Sequence, residues 1–121
     1  MASHNELGTK GEQRATDFLQ QKGYKILDTN WRNNHHEIDI VAQQKNTIVI
    51  AEVKTRTGRV FGEPEEFVQK QKQKNLIRAA NAYLFKNNLD LEVRFDIISI
   101  VVEKEDKFVI NHIEDAFSAV V

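Results

Sequence analysis

The apolar positions of this chain change period several times, and each change marks an element. Leu7, Ala15, Phe18 and Leu19 recur at helical spacing and Gly23 follows as a stop, which predicts a first helix from about Leu7 to Lys22. From Tyr24 to Arg32 the period falls to two, with Tyr24, Ile26 and Asp28 alternating against Lys25, Leu27 and Thr29. That is an edge-type strand closed by Trp31 and Arg32, and Asn33 to His36 reads as a loop. Two β-branched alternating runs, Glu37 to Ala42 and Thr47 to Lys54, flank polar Gln43 to Asn46 as an antiparallel hairpin. Glu63-Pro64-Glu65-Glu66 places proline and acids where a helix start favours them. The helix is expected to run on to about Lys86, facing Phe67, Val68, Leu76, Ile77, Ala80, Tyr83 and Leu84 to the core, and to end at Asn87-Asn88. Glu92 to Val102 and Lys107 to Ile113 are strand-like, joined by the charged turn Glu103 to Asp106. Glu114 to Val121 reads as a short terminal helix packing Phe117. The order α-β-β-β-α-β-β predicts a mixed α/β fold, one mixed sheet flanked by helices in a single domain over residues 1–121.

Parity within the hairpin brings charge together. Pairing Gln44 with Thr47 leaves Lys45-Asn46 as a two-residue turn and sets Asp39 opposite Glu52. Pairing Ala42 with Thr47 makes a four-residue loop and sets Glu37 opposite Glu52. In either register Glu37, Asp39, Glu52 and Lys54 project from one face, with Ile48 and Ile50 between them. Like charges facing one another on strands this apolar destabilise a sheet, and each charge taken out of water costs several kcal/mol in round terms unless it is compensated. A divalent cation would compensate. Mg²⁺ takes hard oxygen ligands and commonly uses one or two carboxylates, which suits Asp39 and Glu52. Lys54, two residues beyond Glu52, would lie where an activated water meets a phosphate.

Composition narrows the remaining chemistry. With no cysteine, thiolate metal sites, thiol nucleophiles and disulfides are out of reach. The start lacks a basic patch followed by an apolar run, and no apolar segment approaches membrane-spanning length, so the chain reads as cytoplasmic. The formal charge of −1 argues against a general polyanion binder. Its distribution does not: Lys54 to Arg78 holds seven basic residues against three acids. This basic stretch starts beside the carboxylates and continues into the second helix, where it could meet a phosphate backbone or be a solvated face.

The spacing Asp39, twelve residues, Glu52-x-Lys54 resembles the PD-(D/E)xK nuclease signature. Gly11-Glu12, Ala15, Phe18-Leu19, Gly23-Tyr24, Asn30, Arg32, the Glu-Ile-Asp-Ile run, Glu-Val-Lys-Thr-Arg, Phe61-Gly62, Lys72, Leu76, Ala80, Tyr83-Leu84, Arg94-Phe95-Asp96 and Ala116-Phe117 are similar to the YraN-like uncharacterised family over nearly the whole chain. That resemblance implies a restriction-endonuclease-like core, related to archaeal Holliday-junction resolvases. The implied activity is metal-dependent hydrolysis of a phosphodiester in nucleic acid, DNA more than RNA, with branched DNA one candidate substrate. Asp39 and Glu52 would hold Mg²⁺ or Mn²⁺ and Glu12 would complete the set, since in those resolvases a glutamate of the first helix joins the site. Lys54 would orient the attacking water, and Arg56, Arg59 and Lys72 would position the backbone. The sequence leaves dimerisation open; resolvases of this fold act as dimers, so a homodimer would suit a junction. His36 stands where the family usually has glycine, which bears on how closely a substrate backbone approaches that turn.

Each of these residues also has a plainer role. Glu12 falls on the apolar stripe of its helix, yet sits near enough to the helix start to be stabilised there. Lys72 borders the stripe of the second helix, where a lysine stem can cover core surface. His35 and His36 read as loop residues, Trp31 as a rim of the core, and Arg94 with Asp96 as a structural ion pair. The rival function is a non-catalytic module that binds nucleic acid or docks a repair protein. A third reading is a cluster of ion pairs with no ligand, in which Lys54 neutralises Glu52.

Overall fold

The protein is described by a computed structural model covering residues 4–57, 69–104 and 107–119. Its elements are α1 (His4–Gln21), β1 (Lys25–Asn33), β2 (His36–Gln44), β3 (Thr47–Thr57), α2 (Lys70–Lys86), β4 (Glu92–Lys104) and β5 (Lys107–Phe117). The five strands form one sheet in sequence order, antiparallel except for β3 and β4. That parallel pair needs a crossover, and α2 is part of the connection. The result is the mixed α/β arrangement expected, with the elements in the expected order.

Period-two alternation sends alternate side chains to two helices, so the core has two halves. Ala15 and Leu19 of α1 pack on Ile40, Ala42, Val49, Ala51, Ile98 and Ile100. Leu76, Ala79, Ala80 and Tyr83 of α2 pack on Ile38, Val41, Ile48, Ile50 and Phe95. At the end of α1, Gly23 adopts φ +92. Its N–H reaches Gln20 O, and Tyr24 N–H reaches Leu19 O, closing the helix as a left-handed glycine cap does. Lys45 at φ 55 makes Lys45-Asn46 the two-residue turn of the hairpin, which selects the register Gln44↔Thr47. Trp31 is half-buried and meets Tyr83 edge to face at 5.2 Å, while the Tyr83 hydroxyl donates to Asp28 at 2.8 Å and ties α2 to the edge strand.

Two expected helical stretches differ. The second helix begins at Lys70, because Gln69 before it is extended at φ −72, ψ 161. The predicted start at Glu63 to Glu66, with Phe67 and Val68, lies outside the described residues. The terminal helix expected from Glu114 is replaced by strand: β5 runs to Phe117, which pairs with Phe95 and stacks on its ring at 5.0 Å. The reason lies in Asp115, which sits at φ 52 and turns its N–H inward to Asp96 Oδ1 at 3.0 Å.

Among the described residues Asp96 is the most deeply buried charge, 1% exposed, and both its oxygens are bonded. Arg94 grips it through Nε at 2.9 Å and Nη2 at 2.8 Å, and His112 Nε2 reaches Oδ2 at 2.7 Å. Lys22 Nζ meets His112 Nδ1 at 2.8 Å; an ammonium only donates, so the ring proton sits on Nε2 and points to Asp96. Tyr24 accepts from Arg94 at 2.7 Å and donates to Glu114 at 2.8 Å. Burial alone would raise the Asp96 carboxyl, but the bonds from His112, Arg94 and Asp115 outweigh it and hold it below its ordinary value. Arg94 and Asp96 are a structural pair, as their place in an apolar run suggested.

Candidate functional site

The site forms where the hairpin comes apart. β2 and β3 pair from Gln44↔Thr47 to Ile40↔Ala51 and no further. Continuing that register by one residue would set Asp39 across from Glu52, and by two would set Val53 across from Ile38. Instead the Val53 N–H donates to Asp39 Oδ2 at 2.8 Å, so a side chain takes the place of a backbone partner and wedges the strands apart. On the other side of β2, Thr29↔Ile40 and Trp31↔Ile38 bracket Asn30, which stands across from Asp39 in the left-handed region at φ 50.

Alternation fails at this point. Ile38 packs in the same half of the core as Val41, which strict period two would put on opposite faces. The expectation that Glu37, Asp39, Glu52 and Lys54 share one face is therefore corrected. Glu37 is exposed and lies 3.8 Å from Arg32 at the rim, while Asp39 turns into a cleft of about 320 Å³. Gly8, Glu12, Asp39, Glu52, Val53, Lys54, Thr55 and Arg56 line that cleft. Because the sheet is split, α1 supplies one wall, and Lys72 of α2 reaches Glu52 as well, its Nζ 3.6 Å from Oε1. Lys54 Nζ is 3.8 Å from the same oxygen. These are ion-pair distances, longer than hydrogen bonds.

Gly11 sets how deep α1 sits. A Cβ built there would collide with the Thr55 hydroxyl, so only glycine lets the helix come down onto β3 and bring Glu12 beside Asp39. Gly11 and Asn30 are parts of the site that reading by residue chemistry passes over. A glycine inside a helical stripe is the signal that could have found the first.

Burial dominates the electrostatics. The Glu52 side chain is 7% exposed, and burial followed by the neighbouring Asp39 charge pushes its carboxyl up to about 7, with Lys72 and Lys54 only partly opposing. Asp39 is raised too, again first by burial, against the Val53 N–H, Lys72 and a hydrogen bond from Glu52. Burial thus favours the neutral form of both acids, and the contact between them lowers Asp39 while it raises Glu52, so the two titrate as a pair. Glu12 is raised by burial, resisted by a hydrogen bond to Asn30 and reinforced by Asp39 and Glu37.

Two acids raised by burial are short of positive charge, and a cation that uses one or two carboxylates fits Asp39 and Glu52. Among the described residues no three of His, Cys, Asp and Glu gather closely enough to hold one ion. Glu12 lines the cleft, but its carboxylate is engaged by Asn30. His35 is exposed in the turn and His36 is half-buried in β2, neither lining the cleft. Arg56 does line it, whereas Arg59 lies outside the described residues.

Comparison with known proteins places this geometry in a lineage. The model of the uncharacterised protein family UPF0102 matches residues 11–100, from the glycine that seats α1 to the middle of β4. The chain belongs to the UPF0102 family. A UPF0102 protein of Flavobacterium psychrophilum is 52% identical over 117 residues, covering 97% of this chain and 98% of its own. UPF0102 proteins of Bacteroides thetaiotaomicron and Parabacteroides distasonis are 49% and 43% identical, covering 97% and 98% of this chain and 96% and 98% of their own. The family expectation drawn from the sequence is met, and the UPF0102 match spans every residue that lines the cleft except Gly8. No helix among the described residues of this UPF0102 chain is long and apolar enough to cross a membrane.

Proposed function

We propose that this UPF0102 chain is a metal-dependent phosphodiesterase acting on nucleic acid, with a restriction-endonuclease-like site akin to that of archaeal Holliday-junction resolvases. The observation that carries the reading is the pair of carboxylates Asp39 and Glu52, set in one cleft and both raised by burial, with two lysines at the same Glu52 oxygen. A pure phosphate binder gains nothing from carboxylates facing its ligand, because they repel it. A self-sufficient ion-pair cluster would hold its lysines in hydrogen-bond contact with Glu52, whereas Lys54 and Lys72 stand 3.8 and 3.6 Å from Oε1 and leave its carboxyl raised.

Asp39 and Glu52 would hold Mg²⁺ or Mn²⁺, which when bound supplies charge neutralisation and a more acidic water. Glu12, held by Asn30, would act through water as a proton acceptor at the cleft wall. Lys54 presents an ammonium to the cleft and would stabilise the negative charge that develops on a phosphate oxygen. Lys72 keeps Glu52 oriented and offsets part of the acidic charge. Arg56 would position the sugar-phosphate backbone without reading bases, and Arg59, by its place two residues past β3 in sequence, would extend that contact.

The test is incubation of the wild type and its Asp39→Asn, Glu52→Gln and Lys54→Ala variants with labelled linear, flap and four-way DNA, and matching RNA, with Mg²⁺ or Mn²⁺. Metal-dependent cutting, reduced about 10²-fold or more by each substitution, is the expected result. Cutting indifferent to all three removes the assignment. Metal-dependent binding with no cut identifies a binding module instead.

A further inference from the structure

The two edges of the sheet are built differently. β1 carries a bulge at Leu27, a left-handed residue at Asn30, and charges at Lys25, Asp28 and Arg32, the devices that keep an edge from pairing. β5 carries such devices only at its ends, with the left-handed Asp115, register shifts against β4 at Phe95/Ile97 and Val102/Lys104, and charges at Lys107, Glu114 and Asp115; between them Phe108 to Ile113 pairs regularly with β4, and among the described residues no strand lies on its outer side. It also exposes apolar surface: Phe108 is 38% and Val109 53% exposed, with the Arg14 guanidinium 4.2 Å from the centre of the Phe108 ring. An open, regular, partly apolar edge is a template for another strand.

We propose that β5 pairs antiparallel with β5 of a second copy of this chain, with the two-fold axis passing through Asn111. The register follows from symmetry and charge. In a continuous sheet the axis is perpendicular to the strands and preserves faces, so a residue can oppose only residues of its own parity. Within that restriction one register sets Lys107 across from the exposed Asp115 of the other copy, twice by symmetry. The same register opposes Val109 to Ile113 and Ile110 to His112, and leaves Asn111 facing itself. Asp115 is suited to this end of the strand, since its N–H is already turned inward to Asp96 and its side chain is left outside. The assembly would be a ten-stranded sheet with both α1 helices on one side. This inference does not rest on the nuclease reading.

The chain has no cysteine, so single substitutions report the register directly. Asn111→Cys, an exposed position, should give a covalent dimer on mild oxidation. Val109→Cys should not, because its counterpart sits four residues away along the strand, about 13 Å, beyond disulfide reach. By light scattering at high micromolar concentration the wild type should show twice 14.0 kDa, and Lys107→Glu should return it toward 14.0 kDa with an unchanged melting curve. A wild type that stays at 14.0 kDa overturns the proposal. So does a dimer that Asn111→Cys fails to trap, or equal trapping by Val109→Cys.

Discussion

Glu52 couples folding to pH, and the coupling has a definite sign. Its carboxyl goes from 4.5 in the unfolded chain to about 7 in the folded one. Between those values the native state holds a proton that the unfolded chain has lost, so this contribution is full below pH 4.5 and disappears as pH rises through 7. At about 1.4 kcal/mol per pH unit the window is worth roughly 3 kcal/mol. The side chain is 7% exposed, so solvent screening takes little from that figure. Glu52→Gln keeps the shape and removes the titration. The attraction of Lys54 and Lys72 acts on the ionised carboxylate and is already contained in the value near 7, while the loss of neutral contacts shifts stability alike at all pH values, so the slope is the diagnostic quantity. Urea unfolding of both proteins in EDTA from pH 4.5 to 8 should show the variant gaining on the wild type by roughly 3 kcal/mol, on the order of 10 °C in Tm for a chain of this size. Because Asp39 and Glu52 titrate as a coupled pair, the difference reports the pair. Mg²⁺ or Mn²⁺ at a hundred times its Kd should then return about 2.7 kcal/mol to the wild type at pH 8 and little to the variant. A difference that stays flat within about 1 kcal/mol across the range would refute the claim that these acids are held against their charge.

Three further outcomes follow from the same geometry. Gly11→Ala drives a methyl into the Thr55 hydroxyl and should cost about 1–3 kcal/mol in urea unfolding, with Thr55→Ala in the same chain recovering most of it; additive costs would mean that α1 is not seated by this contact. Lys72→Met removes a charge that lowers both site acids, so the Glu52 carboxyl followed by NMR should titrate above about 7; an unmoved curve would show that α2 does not act on the site. Asp96→Asn strips the charge that Arg94 and His112 surround and should cost about 3 kcal/mol near neutral pH. Since Asp96 is depressed, its contribution is present above 3.8 and lost as pH falls, so the two proteins should converge in acid while the Glu52 titration stays where it was.

What could be read from the sequence was whatever a regular period dictates. Alternation in residues 37–54 gave the hairpin, and two-residue spacing put Lys54 beside Glu52. Parity then failed at Asp39, because the departure there is a side chain replacing a backbone partner, which no periodicity announces. The terminal helix failed for a similar reason: Glu114 to Phe117 is held as strand by Asp96, nineteen residues before Asp115, and local propensity does not register so distant a partner. Both failures are carboxylates taking backbone N–H groups, yet they end in opposite electrostatic states. Asp96 collects Arg94, His112 and Asp115 and is pulled below its ordinary value, which is how a buried acid serves the fold. Asp39 has the Val53 N–H and a neighbour that competes for the same proton, and it is raised. Asp96 is buried and Asp39 half-buried in strands of the same sheet, and the deeper of the two is the one held below its ordinary value, so burial as such does not separate them. The separation lies in the supply of donors, complete around Asp96 and incomplete around Asp39 and Glu52, and that deficit is the ground on which a cation is proposed there.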